Sequence, residues 1–191
     1  MNGFPSVRPF WRIGHPVWMC GMRPFFLLAM ASAIVLLGLW SPVLAAGLPP
    51  PAVAGGPLVW HAHELVFGFA MAAAAGFALT ALPEFTGVPG VSRARLRGLV
   101  VLWLCGRAGF RASGLAGPAA LWLGALGQVG LPLALAAVLT PALRSPSGRA
   151  HRAFGWSLLA LAGAAAGFYV DALRAVPTRR FPSEACGSSG R

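Results

Sequence analysis

The hydrophobic pattern divides the chain into five long apolar stretches separated by short polar or Pro/Gly-rich segments. They cover residues 24–40, 57–82, 96–112, 118–143 and 154–173. A helix needs about 20 apolar residues to cross the hydrocarbon of a bilayer. The pattern therefore predicts an all-α, polytopic transmembrane bundle of about five spans. Ser41-Pro42 ends or kinks the first span, since proline cannot donate to the helical ladder. Gly55-Gly56-Pro57 breaks the chain and supplies a proline for the first turn of the second span. Ser113 to Pro118 reads as a tight, uncharged hairpin between the third and fourth spans. The organisation is a segment at 1–23, a transmembrane domain at 24–173 and a tail at 174–191 that lacks periodicity and reads as disordered.

Composition agrees with the membrane reading. The chain is 57% hydrophobic and 10% charged, whereas soluble domains average about 25% charged. Its net charge of +11 comes from 15 Arg and no Lys. On a soluble chain that excess would point to nucleic acid. Here the arginines fall between apolar spans, so the partner they imply is the lipid bilayer and no nucleic acid is expected. Cys20, Cys105 and Cys186 have no metal-binding or redox spacing. Residues 1–23 are too long and too broken by proline for a signal-peptide n-region, although Val43-Leu44-Ala45-Ala46 is a loose small-residue cleavage site.

Arginine placement orients the spans. Arg8, Arg12 and Arg23 lie in the N-terminal segment, Arg93, Arg95 and Arg97 in the 83–97 loop, and Arg144, Arg149 and Arg152 in the 144–152 loop. The 41–56 and 113–118 loops contain none. Arg-rich short loops stay cytoplasmic, which puts the N-terminus inside and the start of the second span outside. The tail, with Arg174, Arg179, Arg180 and Arg191, then falls outside against the rule. That conflict suggests a chain cut short or altered there.

The candidate chemistry opens the second span, as Trp60-His61-Ala62-His63-Glu64. Ionisable groups at membrane depth are costly and mark functional sites by default. At about 1.5 Å per residue, His61 lies about 6 Å in from Pro57 and Glu64 about 10 Å. Arg107 lies about 9 Å in from Ser113 down the third span. Charges at matching depth in hydrocarbon pair, so Glu64 is expected to pair with Arg107. Glu64, Gly68, Ala72 and Gly76 form a small-residue stripe for one close neighbouring helix. His61 shares the Glu64 face. His63 lies about 200° round the helix from His61. Either the first turn is distorted or the two histidines have different partners. The expected arrangement has His61 inward and His63 toward another helix or the interface.

A neutral imidazole binds haem iron or copper, and Glu64 could orient one by accepting its other N–H. The plainer alternative makes Trp60 and the histidines interfacial anchors in an aromatic belt. His15 and His151 fall on the cytoplasmic side, away from this site, and Met30 and Met71 read as core. No glycine-rich nucleotide loop and no nucleophile elbow is present.

Several of these motifs resemble one family. Gly21-Met22-Arg23-Pro24-Phe25-Phe26 resembles the G-F-R-P-F-F opening of the NnrS family, and residues 60–64 its W-H-A-H-E signature. Phe67-Gly68-Phe69, Ala75-Gly76-Phe77, Thr80-Ala81, Pro83, Thr86-Gly87 and Gly106-Arg107 continue the match, which covers about residues 21–173. Met22 stands where Phe is usual, and Glu84-Phe85 where Asn-Trp is common. The resemblance implies a multi-pass protein of the bacterial inner membrane, linked to the nitric oxide response and to relief of nitrosative stress, and containing haem and copper. Nitric oxide is then the implied small-molecule ligand. Family members have about twelve spans, so the chain reads as an N-terminal fragment lacking any ligands the later spans supply. His61 and His63 carry over as ligand positions, with Glu64 and Arg107 in support. Two other classes stay open: a proton- or anion-coupled transporter relaying through His61, Glu64 and Arg107, and a membrane assembly partner without chemistry.

Overall fold

The computed structural model describes residues 15–49 and 51–175. The described residues form helices and their connections, without a strand. A 3₁₀ turn at Pro16–Trp18 leads into α1 (Met22–Ala46). The second span combines α2 (Gly56–His63), a π-helical segment (Glu64–Ala70) and α3 (Met71–Thr86). The helical run α4 (Arg93–Arg144) follows, then a 3₁₀ turn at Ser147–His151 and α5 (Arg152–Ala175). The stretches Met22–Ala46, Gly56–Thr86, Arg93–Arg144 and Ser147–Ala175 are each long and apolar enough to cross a membrane.

The run α4 is two spans. Gly117 breaks it with φ 57° and ψ −134°, a left-handed conformation for which only glycine is suited. The halves, 93–116 and 118–144, then fold back on each other. A Cβ on Gly109 would lie 2.2 Å from the Gly124 nitrogen, and one on Gly127 would lie 2.2 Å from the Gly106 nitrogen. Glycines at 106, 109 and 127 thus let the two backbones touch, the usual device where no hydrophobic effect drives helices together, while the open side of Gly124 receives the Tyr169 ring of α5. The expected five-span bundle is present, with the expected hairpin reduced to one residue.

Helix ends run past the expected limits. Pro42 does not end α1, which continues to a left-handed Gly47 with φ 61°. The Ser41 hydroxyl donates to the Leu37 carbonyl at 2.8 Å just before the proline. Pro83 likewise sits inside α3, which closes at a left-handed Gly87. Ser92 caps α4 by accepting from the Arg95 backbone N–H. Helix α5 reaches Ala175, so Arg174 and Ala175, expected in the tail, are helical; residues 176–191, like residues 1–14 of the N-terminal segment, lie outside the described residues.

The larger core cluster joins Phe25 and Ala29 of α1 to Met71, Ala75 and Leu79 of α3 and Leu99, Leu131 and Leu135 of α4. A smaller one, at the end holding the 51–55 loop, gathers Leu36, Trp60 and Phe110 with Trp40, Val53 and Phe168. Large apolar side chains such as Leu27, Met30, Ile34 and Leu37 of α1 point outward, as a lipid-facing surface requires. Met30 is therefore a lipid-facing residue rather than the core residue expected; Met71 is core.

Candidate functional site

The second span changes winding where its chemistry lies. Between Glu64 and Ala70 the backbone is π-helical, a wider turn found most often at functional positions. Of the two arrangements open for the histidines, separate partners is the one present: both lie in the regular α-helical turns of α2, and the π-helical segment begins after them. His63 is buried at 4% exposure, against Phe110 of α4 at 3.6 Å and Phe168 of α5 at 5.0 Å between ring centroids. His61 is half-buried and stacks on Trp40 of α1 at 4.5 Å. His63 faces other helices, as expected, but it is the one at the centre; His61, expected inward, turns to the α1 side. Both His63 and Glu64 lie in the interior.

Glu64, 2% exposed, is held by two guanidinium groups. Arg107 Nη1 donates to its Oε1 at 3.1 Å and Arg111 Nη2 to its Oε2 at 3.1 Å. The expected Glu64–Arg107 pair is present. Arg111 joins because it lies four residues on, on the same helical face. Arg107 Nη2 also donates to Gln128 Oε1, which the glycine contacts of the hairpin bring opposite. One carboxylate faces two guanidinium groups, and Arg111, with 40% of its side chain exposed, leads toward solvent. Trp103 Nε1 donates to the Gly68 carbonyl at 3.1 Å, tying the π segment to α4.

Three expectations change. Glu64 accepts from Arg107 and Arg111 and not from a histidine: both ring nitrogens of His63 and Nδ1 of His61 have no hydrogen-bond partner among the described residues. Trp60 is fully buried rather than in a belt at the headgroups. The small-residue stripe does not face one neighbour: Gly68 lies against Arg107 and Gly76 against Phe25 and Phe26 of α1. His15 caps its 3₁₀ turn and His151 stacks on Phe85, both away from the site.

The polar atoms left over are the informative ones. Both ring nitrogens of His63, Nδ1 of His61, Nε of Arg107 and the hydroxyl of Tyr169 are buried without a hydrogen-bond partner among the described residues. Buried polar groups are nearly always satisfied, so this cluster stands out. The Tyr169 ring meets that of His63 edge-on at 6.0 Å. Among the described residues no three of His, Cys, Asp and Glu are grouped to hold a metal ion. Reading the sequence missed Gln128, Trp103 and Tyr169. The signals were there: an amide alone in the apolar run 118–139, and the chain's single tyrosine.

A multi-pass helical membrane protein with a charged, partly unsatisfied centre between its second, third and fifth spans is thus defined. The model of the NnrS protein family matches residues 16–183, and the chain belongs to that family. No curated protein and no solved structure matches it.

Proposed function

We propose that the protein acts in the response to nitric oxide and nitrosative stress from the bacterial inner membrane, with its N-terminus cytoplasmic, through haem or copper held by histidines of the second span. The observation that carries the reading is His63, buried among aromatic rings with both nitrogens unpartnered. An imidazole so placed has a lone pair available for a metal. The donor set, histidines without a cluster of three or more His, Cys, Asp or Glu among the described residues, would suit haem better than a metal ion caged by four protein ligands. His63 would supply an imidazole on the side of α4 and α5, with the Tyr169 hydroxyl beside it, and His61 a separate one on the side of α1. A haem iron or copper ion bound there would provide the centre at which nitric oxide binds. Phe110, Phe168 and Phe67 keep water from the His63 ring. Glu64, Arg107 and Gln128 fix the second span against both halves of α4, so the imidazole is held in place. A proton or anion relay through His61, Glu64 and Arg107 has less support, since no hydrogen bond links a histidine to Glu64 among the described residues.

The test uses protein purified in detergent from cells supplied with iron and copper. Visible spectra and bound metal are recorded for wild type, His61→Gln, His63→Gln and Tyr169→Phe. A Soret band or stoichiometric copper that disappears in His63→Gln is the expected result. An unchanged spectrum and unchanged nitric oxide sensitivity in both histidine variants would sink the reading.

A further inference from the structure

At the end of the bundle away from His61 and His63, α4 and α5 line a cavity of about 220 Å³. Arg144, the last residue of α4, and Arg152, the first of α5, line its rim. Their side chains are exposed, and neither has a hydrogen bond or ion pair among the described residues. Below them the wall is apolar, with Leu143, Gly155 and Leu159. Trp156, four residues after Arg152 and so on the same helical face, stands at the mouth with 71% exposure.

This vertical order matches one kind of molecule. Two unpaired guanidinium groups at headgroup level suit phosphate oxygens, which arginine binds in a two-pronged fashion. Tryptophan favours the headgroup boundary. Leucine walls one turn deeper, opening among lipid-facing side chains, suit an acyl chain. Basic pockets between spans at the cytoplasmic face are a known arrangement for anionic headgroups. We propose that this cavity is a specific site for an anionic phospholipid, its headgroup phosphate on Arg144 and Arg152 and its acyl chain along Leu159. A free phosphate would use the rim but leave the apolar wall bare.

The full chain is reconstituted in vesicles containing brominated phosphatidylglycerol or brominated phosphatidylcholine. Tryptophan quenching is measured for wild type and Trp156→Phe, and the difference isolates Trp156. Trp156 should be quenched preferentially by the anionic lipid. Each of Arg144→Gln and Arg152→Gln removes a charge-assisted contact to the phosphate and should weaken that preference about tenfold. Arg149→Gln removes an exposed charge of the same turn outside the cavity and should change the preference less than twofold. Equal quenching by the two lipids would overturn the proposal. So would an Arg149→Gln effect as large as the others, which means diffuse attraction. Displacement of the brominated lipid by millimolar inorganic phosphate at constant ionic strength would also overturn it, in favour of a free-anion site.

Discussion

At the scale of single residues, the Glu64 centre makes the sharpest prediction. Removing one partner of a buried ion pair leaves an uncompensated charge and costs about 3–5 kcal/mol. Glu64→Gln and Arg107→Gln should each lower thermal stability in detergent by an amount of that order. The double variant should lose less than the sum, and fully additive losses would show that the pair is not coupled. Arg111→Gln touches the same carboxylate from a half-exposed position and should cost no more than about 1 kcal/mol. The pair itself was legible, because matching depth in hydrocarbon leaves opposite charges little alternative. The position of His63 was not. Which imidazole turns inward depends on the π turn at Glu64–Ala70 and on where Phe110 and Phe168 arrive, and neither is encoded in a five-residue motif.

At the scale of elements, the hairpin within α4 depends on backbone contact. A methyl group at Gly127 would sit 2.2 Å from the Gly106 nitrogen, which backbone cannot yield easily. Gly127→Ala should therefore cost about 1–3 kcal/mol, as overpacking does. Gly163→Ala, where a Cβ would meet nothing within 4 Å, should be neutral or slightly stabilising, as expected for a helical Gly→Ala change. Melting temperatures in one detergent compare the two; equal effects would contradict the close contact. The same contact brings Gln128 to Arg107, so Gly127→Ala should also perturb the charged centre. The glycines at 106, 109, 124 and 127 were visible in the sequence, but their pairing across Gly117 was not, because spacing along one helix does not say which residues of the next will face it.

At the scale of the molecule, the fold sorts the loops by end. The Met22 backbone N–H donates to the Thr80 hydroxyl and Arg97 stacks over Trp18, joining the N-terminal turn to the far ends of the second and third spans. At the other end the Ala54 N–H donates to the Ser113 hydroxyl. With Cys20, Cys105 and Cys186 changed to Ser, Ala52→Cys should react with an impermeant maleimide added outside intact spheroplasts. Gly90→Cys should react only after permeabilisation. The reverse pattern would invert the cytoplasmic assignment of the N-terminus.

The class, the spans and the existence of a buried charged pair follow from the amino-acid order alone. Bilayer thickness sets how long an apolar helix must be, and hydrocarbon forbids a lone charge, so both constraints are local and can be read from one chain. The packing of the spans settles that His63 rather than His61 faces the centre, that Arg111 and Gln128 complete the Glu64 network, and that the Tyr169 hydroxyl stands without a hydrogen-bond partner among the described residues beside His63. Those features depend on the rotation of each helix about its own axis and on contacts between spans far apart in sequence. A hydrophobic pattern cannot fix that rotation when the spans are apolar on nearly every face.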